Sequence, residues 1–162
     1  MNILILGAGE IGFLLANKLI ESNHNITLIE TDPFIAQKAN DYLDANILVG
    51  NAADYELLKR ANIQSIDVMA AVTNNDEVNI ISSIICKKMG VKTVISRVKK
   101  FEYTSNDFPL RGFLFGPDLI IQPEKETAKA IIQLVNNTTA TNYHEFERSE
   151  EHTSELQSPN TI

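Results

Sequence analysis

The stretch Met1–Gly12 reads MNILILGAGEIG. Its apolar run, Ile3–Leu6, breaks into Gly7, Gly9 and Gly12, spaced as G-x-G-x-x-G, and the pattern beyond Gly12 turns helical. Strand, glycine turn and helix in that order form the context that a dinucleotide-binding fingerprint requires. Each glycine has a separate physical task. Gly7 permits the tight turn out of the strand. Gly9, without a Cβ, lets backbone approach a pyrophosphate. Gly12 lets the helix pack closely on the strand. Phosphates would then face the free N–H groups and partial positive charge of a helix start.

The next segment supplies the second half of the fingerprint. Asn25–Glu30, NITLIE, reads as a buried strand ending in an acid. Glu30 falls roughly twenty residues past the glycines, where a carboxylate would accept hydrogen bonds from an adenosine ribose. Its neighbours Thr31 and Asp32 carry no positive charge. A 2′-phosphate there would meet like charge, so NAD(H) or an adenine nucleotide is expected over NADP.

Working outward, short apolar strands alternate with helices. Ile11, Leu14, Leu15, Leu19 and Ile20 share a helical face. Asp32–Pro33 starts a second helix, with Asp32 as N-cap and Pro33 at its first position. Asn46–Val49 is a third strand, and Asp54 caps a helix over Tyr55–Ala61. Val68–Val72, apolar throughout, is a strand buried on both faces. A helix over Glu77–Met89 carries the stripe Ile80, Ile81, Ile84 and Ile85, and Gly90 stops it. Thr93–Val98 and Asp118–Gln122 are the last two strands. Between them, Phe101–Phe115 reads as a short helix and then a loop. Glu124–Val135 is amphipathic, with Ala128, Ile131, Ile132 and Val135 expected inward. The alternation predicts an α/β fold, a doubly wound parallel sheet with right-handed crossovers. Strand order 3-2-1-4-5-6 would open a ligand crevice between the first and fourth strands.

Composition narrows the function classes. Of the 162 residues, 44% are hydrophobic and 22% charged, as in a soluble globular protein. A net charge of −7, with no Lys/Arg stripe, disfavours nucleic acid as a partner. No apolar run approaches the roughly twenty residues of a membrane span, so direct membrane insertion is not expected. One cysteine, Cys86, excludes an internal disulfide and suits a reducing, cytoplasmic compartment.

Candidate catalytic groups are sparse. Tyr55 and Lys59 form a Y-x-x-x-K pair that resembles the pair of short-chain dehydrogenases, yet it comes too early in the chain and reads as one exposed helical face. Cys86 lies within an apolar stripe with no local base and reads as a buried, inert thiol. No histidine cluster has metal-ligand spacing. Neither a catalytic nor a metal site is expected, and the chain is read as a non-enzyme.

Further motifs carry a family resemblance: LIETDP at Leu28–Pro33, LVGNAAD at Leu48–Asp54, AVTNNDEVN at Ala71–Asn79, SRV at Ser96–Val98 and LIIQPE at Leu119–Glu124. Together with the glycine segment, over about Met1–Phe146, they resemble the TrkA N-terminal domain (RCK or KTN domain) of potassium-uptake regulatory proteins of the Trk/Ktr systems. The resemblance implies roles. Gly7, Ala8, Gly9, Glu10 and Ile11 would bind nucleotide phosphates through backbone atoms, with Gly12 completing the turn. Glu30 would hold the ribose, and Gly50, Asn51 and Ala52 would line the adenine side. Thr73 and Asn74 would border the far nucleoside. Asp76 and Glu77 would cap the following helix and shape the crevice, and Arg97 would lie near phosphate or a subunit contact. Either NAD(H) or ATP/ADP would occupy one site. The partners implied are the membrane subunit of a potassium transporter, whose uptake the nucleotide would gate, and further copies of the chain in at least a dimer. The protein would sit at the inner face of the membrane through that transporter. The alternative is an NAD-dependent oxidoreductase fragment lacking its substrate domain.

The expected organisation is a nucleotide-binding domain over 1–123, a crossover helix and the start of a truncated C-terminal part over 124–147, and a tail over 148–162. Arg148–Ser158, RSEEHTSELQS, is similar to the conceptual translation of a common sequencing adapter, so the tail is read as non-native.

Overall fold

The computed structural model describes residues 1–105, 107–108 and 116–136. Its strands are Asn2–Leu6 (β1), Asn25–Glu30 (β2), Asn46–Val49 (β3), Val68–Ala71 (β4), Thr93–Arg97 (β5) and Leu119–Ile121 (β6). The helices are Glu10–Glu21 (α1), Pro33–Tyr42 (α2), Tyr55–Arg60 (α3), Asp76–Lys88 (α4) and Pro123–Asn136 (α5). Single 3₁₀ turns lie at Ile63–Ser65, which the sequence pattern missed, and Phe101–Thr104. Residues 106 and 109–115 of the 101–115 expectation, and the tail, fall outside the described residues.

Every strand pair is parallel, in the order β3-β2-β1-β4-β5-β6, as the alternation of elements predicted. The period of two explains the two cores. Ile3 and Ile5 of β1 face one layer, with Ile26, Leu28, Ala16 of α1 and Ala39 of α2. Leu4 and Leu6 face the other, with Met69, Val94, Leu57 and Leu58 of α3 and Cys86 of α4. A strand buried on both faces must be apolar at every position, which is why β1 shows no polar alternation.

β1 pairs with β2 on one edge and with β4 on the other. The chain leaves β1 toward the layer of α1 and leaves β4 toward the layer of α4. The two loops therefore part at the carboxyl ends of these neighbouring strands. That divergence opens the crevice at the topological switch.

The apolar stripes needed correction. On α1 the buried residues are Gly12 and Ala16, while Ile11 and Leu14 are exposed and Leu15, Leu19 and Ile20 are partly buried. Small residues bring α1 close to the sheet and push larger ones to the flanks. On α4 the inward face is Asp76, Asn79, Ile80, Ser82, Ser83 and Cys86, and Ile81 is exposed. The inward serines satisfy their own hydroxyls on the preceding turn, Ser82 on Val78 O (2.7 Å) and Ser83 on Asn79 O (2.6 Å). That local bonding lets polar residues occupy a core position that hydropathy alone assigns to isoleucine.

One compact unit spans Met1–Pro123 and a second begins at Glu124. Among the described residues of the second, α5 buries none, and Ile131, Ile132 and Val135, expected inward, are exposed there. Helical period fixes which residues share a face, not what covers that face.

Candidate functional site

The crevice encloses about 620 Å³. Of the residues expected to bind nucleotide, Gly7, Gly9, Glu10, Ile11, Glu30, Gly50, Asn51, Ala52, Thr73, Asn74 and Arg97 line it. Two do not. Ala8 is buried and its N–H is already bonded to Glu30. Gly12 is buried behind Gly7. Ile29, Thr31, Ile35, Val72, Asn75 and Val78 also line the crevice and were missed. Most are apolar or follow directly on a predicted residue, and their one signal was position at a strand end or a helix's first turn.

The glycine corner has the geometry its spacing implied. Gly7 has φ +98°, and a Cβ there would stand 3.0 Å from Thr73 Cα. A Cβ on Gly12 would stand 1.8 Å from the Gly7 carbonyl oxygen. A Cβ on Gly9, by contrast, would meet no atom within 4 Å. Two glycines are thus demanded by the fold, and the third leaves open space beside the crevice.

The start of α1 differs from those of its neighbours. Asp32 caps α2 by accepting from the Phe34 and Ile35 N–H groups, Asp54 caps α3, and Asn75 caps α4. Gly9 offers α1 no side-chain cap. A glycine cap costs only a few tenths of a kcal/mol against a side-chain cap, and the N–H groups it leaves open suit an anion.

Glu30 is 8% exposed, and its carboxylate is held on both oxygens. One accepts from Ala8 N–H (2.6 Å), the other from Thr31 N–H (2.7 Å) and Asp32 N–H (2.9 Å). The side chain thereby ties the end of β2 to the glycine turn. A carboxylate has about four acceptor positions, so three bonds leave room for one more. The sequence identified this acid but not its role as a strut.

On the opposite wall, Arg97 ends β5 and lines the crevice. Among the described residues its Nε is buried without a partner, as are Ser96 Oγ and Asp76 Oδ1. A buried guanidinium donor without an acceptor is costly. Asn79, fully buried behind Thr73, was quoted within a motif but not assigned a role.

Asp76 and Glu77 depart from expectation. Asn75, not either acid, caps α4, accepting from Val78 N–H at 2.8 Å. Asp76 accepts from the Lys99 and Lys100 N–H groups (2.9 and 2.8 Å). Glu77 binds Lys100 Nζ (2.6 Å) and Tyr103 Oη (2.5 Å). The two acids therefore fasten the segment after β5 to α4 and do not line the crevice. Hydrogen bonds from Lys100 and then Tyr103 hold the Glu77 carboxyl down to about 2. A carboxyl lowered on folding contributes where it is ionised, above its unfolded value near 4.5, and loses that contribution as pH falls through about 2. We therefore expect the Glu77 carboxyl to titrate near pH 2 in a carbon-detected NMR titration. A midpoint at the ordinary glutamate value would show the tie to be absent.

Other groups lie away from the crevice. Tyr55 is exposed, with Lys59 Nζ 4.9 Å from its ring centre and bonded to Glu56. Cys86 is fully buried, and burial pushes its thiol up to about 12. Among the described residues, no three His, Cys, Asp or Glu side chains are placed to hold a metal, and no helix is long and apolar enough to cross a membrane.

The family model described as the TrkA-N domain matches residues 3–106. A Trk system potassium uptake protein TrkA homolog of Methanothermobacter thermautotrophicus is 36% identical over 136 residues, 83% of this chain and 60% of that protein. The Trk system potassium uptake protein TrkA of Vibrio alginolyticus is 36% identical over 147 residues, 90% of this chain and 31% of that protein. The chain thus spans less than two thirds of either relative. Among solved structures, the TrkA-N domain of the Escherichia coli inner membrane protein ybaL superposes with a TM-score of 0.70 at 20% identity, over 83% of this chain and 96% of that one. The GsuK channel bound to NAD gives 0.59 at 19% identity, over 74% of this chain and 21% of that one. GsuK bound to ADP gives 0.63 at 20% identity, over 83% and 33%. These structural likenesses establish a shared fold. The match over most of the sheet and the identity across more than four fifths of the sequence go further: the chain belongs to the TrkA-N domain family.

Proposed function

We propose that this chain is the nucleotide-sensing domain of a regulatory subunit for a membrane potassium-uptake transporter, with NAD(H) as the preferred ligand and ATP or ADP able to use the same crevice. The observation that carries the reading is one crevice that brings together three features: the open Gly9 corner before an uncapped helix, the buried Glu30 carboxylate, and Arg97 on the facing wall. The phosphates would lie over Gly7–Ile11, with Arg97 on the facing wall. The adenosine ribose would reach Glu30, with the adenine beside Gly50–Ala52. The names of the Trk relatives supply the potassium system, and the NAD- and ADP-bound GsuK structures supply the ligand class.

Thr31 and Asp32 stand beside Glu30 and offer a 2′-phosphate no positive charge, which favours NADH over NADPH. The titratable groups lining the crevice are Glu10, Glu30 and Arg97. Glu30 is engaged by three N–H groups, which suits a ligand that signals rather than reacts. A nucleotide that favours one subunit arrangement by about 1–3 kcal/mol is sufficient to gate a partner. The apolar residues exposed on α5, Ile131, Ile132, Leu134 and Val135, support assembly into at least a dimer. The domain would be 1–123, with α5 opening the C-terminal part. It would work at the inner face of the membrane by docking on the transporter.

Calorimetric titration of the chain with NADH, NADPH, ATP and ADP tests this. Binding of NADH, tighter than NADPH and without turnover of small alcohols or acids, is expected. Hydride exchange with such a substrate would favour the oxidoreductase reading, and no heat with any of the four would remove the sensor.

A further inference from the structure

We infer that Asn79 is the positioning residue for the half of the crevice built by β4 and β5, and so governs how the part of the ligand beyond the adenosine is held. This rests on the nucleotide reading above. Asn79 lies in the first turns of α4, is fully buried, and lines no part of the crevice itself. Its amide is used completely. Oδ1 accepts from the Thr73 N–H (3.1 Å) and the Thr73 hydroxyl (2.6 Å). Nδ2 donates to the Thr73 carbonyl (3.1 Å) and the Arg97 carbonyl (2.9 Å). Because an N–H only donates and a carbonyl only accepts, these partners fix the orientation of the amide.

The placement explains why an amide is needed. The β4–β5 ladder runs to the pair Ala71 and Ser96, and there it stops. Thr73 and Arg97 lie just beyond, where the two strands part to form the crevice wall. Without Asn79 their backbone groups would lose those partners at a partly buried strand end. One side chain from α4 replaces the missing ladder bonds and sets the gap between the two residues. Thr73 in turn backs the glycine turn, 3.0 Å from where a Gly7 Cβ would stand. Asn79 thus fixes Thr73 and Arg97 while touching neither Glu30 nor the Gly50–Ala52 side.

The test is Asn79→Asp in the full chain. It keeps the shape but turns the donating NH₂ into an oxygen facing two carbonyls. NADH affinity is expected to fall by about tenfold or more by calorimetry, whereas AMP, which ends at the first phosphate, should change by less than about twofold. Should Asn79→Asp fail to fold by circular dichroism, Asn79→Ala, which removes the donors without adding a charge, reads the same split. Equal losses for both ligands would mean a merely structural residue and would overturn the inference, as would no loss for either. A wild-type chain that binds neither nucleotide overturns the sensor reading itself and takes this inference with it.

Discussion

Gly12→Ala is expected to lower the melting temperature by about 10 °C and to abolish measurable nucleotide binding. The added Cβ would stand 1.8 Å from the Gly7 carbonyl oxygen and 2.9 Å from its carbon, against an ordinary contact of 3.4 Å or more. The obstacle is backbone on both sides, so no side chain can swing aside. Either α1 or the glycine turn must move by more than 1 Å. Overpacking of this kind costs about 3 kcal/mol or more, which for a domain of this size is roughly the stated shift. The comparison that makes the result diagnostic is Gly9→Ala. Gly9 has φ −61°, which any residue can adopt, and its Cβ would meet nothing within 4 Å. That variant should melt with the wild type while losing NADH affinity, since the new methyl would occupy the space where backbone must approach phosphate. Differential scanning fluorimetry and calorimetry on the pair separate the two roles. If Gly9→Ala bound NADH as tightly as the wild type, the phosphates would not lie over this corner.

That contrast also shows what a sequence can disclose. The spacing G-x-G-x-x-G marks all three glycines, because close approach leaves only one residue type possible. The parallel sheet and its order were legible for a similar reason: a strand buried on both faces admits only apolar residues, and right-handed crossovers between such strands leave few topologies. Caps at Asp32 and Asp54 were legible because the side chain bonds its own neighbours in sequence. What stayed hidden depends on contacts between distant segments. Asn79 reaches Arg97 across eighteen residues, and Asp76 reaches Lys99 and Lys100 across more than twenty. Hydropathy assigned the inward face of α4 to isoleucines, because it cannot register that serines bonding to the preceding turn are no longer polar toward the core. The strut role of Glu30 was concealed behind its more familiar one.

That strut makes Glu30→Gln a more disruptive change than its shape suggests. The two carboxylate oxygens serve opposite directions, one toward Ala8 N–H and the other toward the N–H groups of Thr31 and Asp32. A carboxamide has one oxygen. Whichever side receives it, the NH₂ faces a donor on the other, and the bond to that donor is replaced by a repulsion. A donor left unsatisfied at a buried site costs about 1–3 kcal/mol, and charge-assisted bonds lie toward the upper end. Glu30→Ala removes the same bonds but vacates space that water can enter to accept from the orphaned N–H groups. We therefore expect Glu30→Gln to be at least as destabilising as Glu30→Ala, a reversal of the usual order for a surface glutamate. NADH binding, measured well below either melting point, should weaken by about tenfold or more in both. The glycine turn loses its tether to β2 in each case, and the ribose loses an anionic acceptor. A Glu30→Gln protein that melts and binds like the wild type would show that one oxygen suffices, and that the tie to Ala8 does not hold the turn in place.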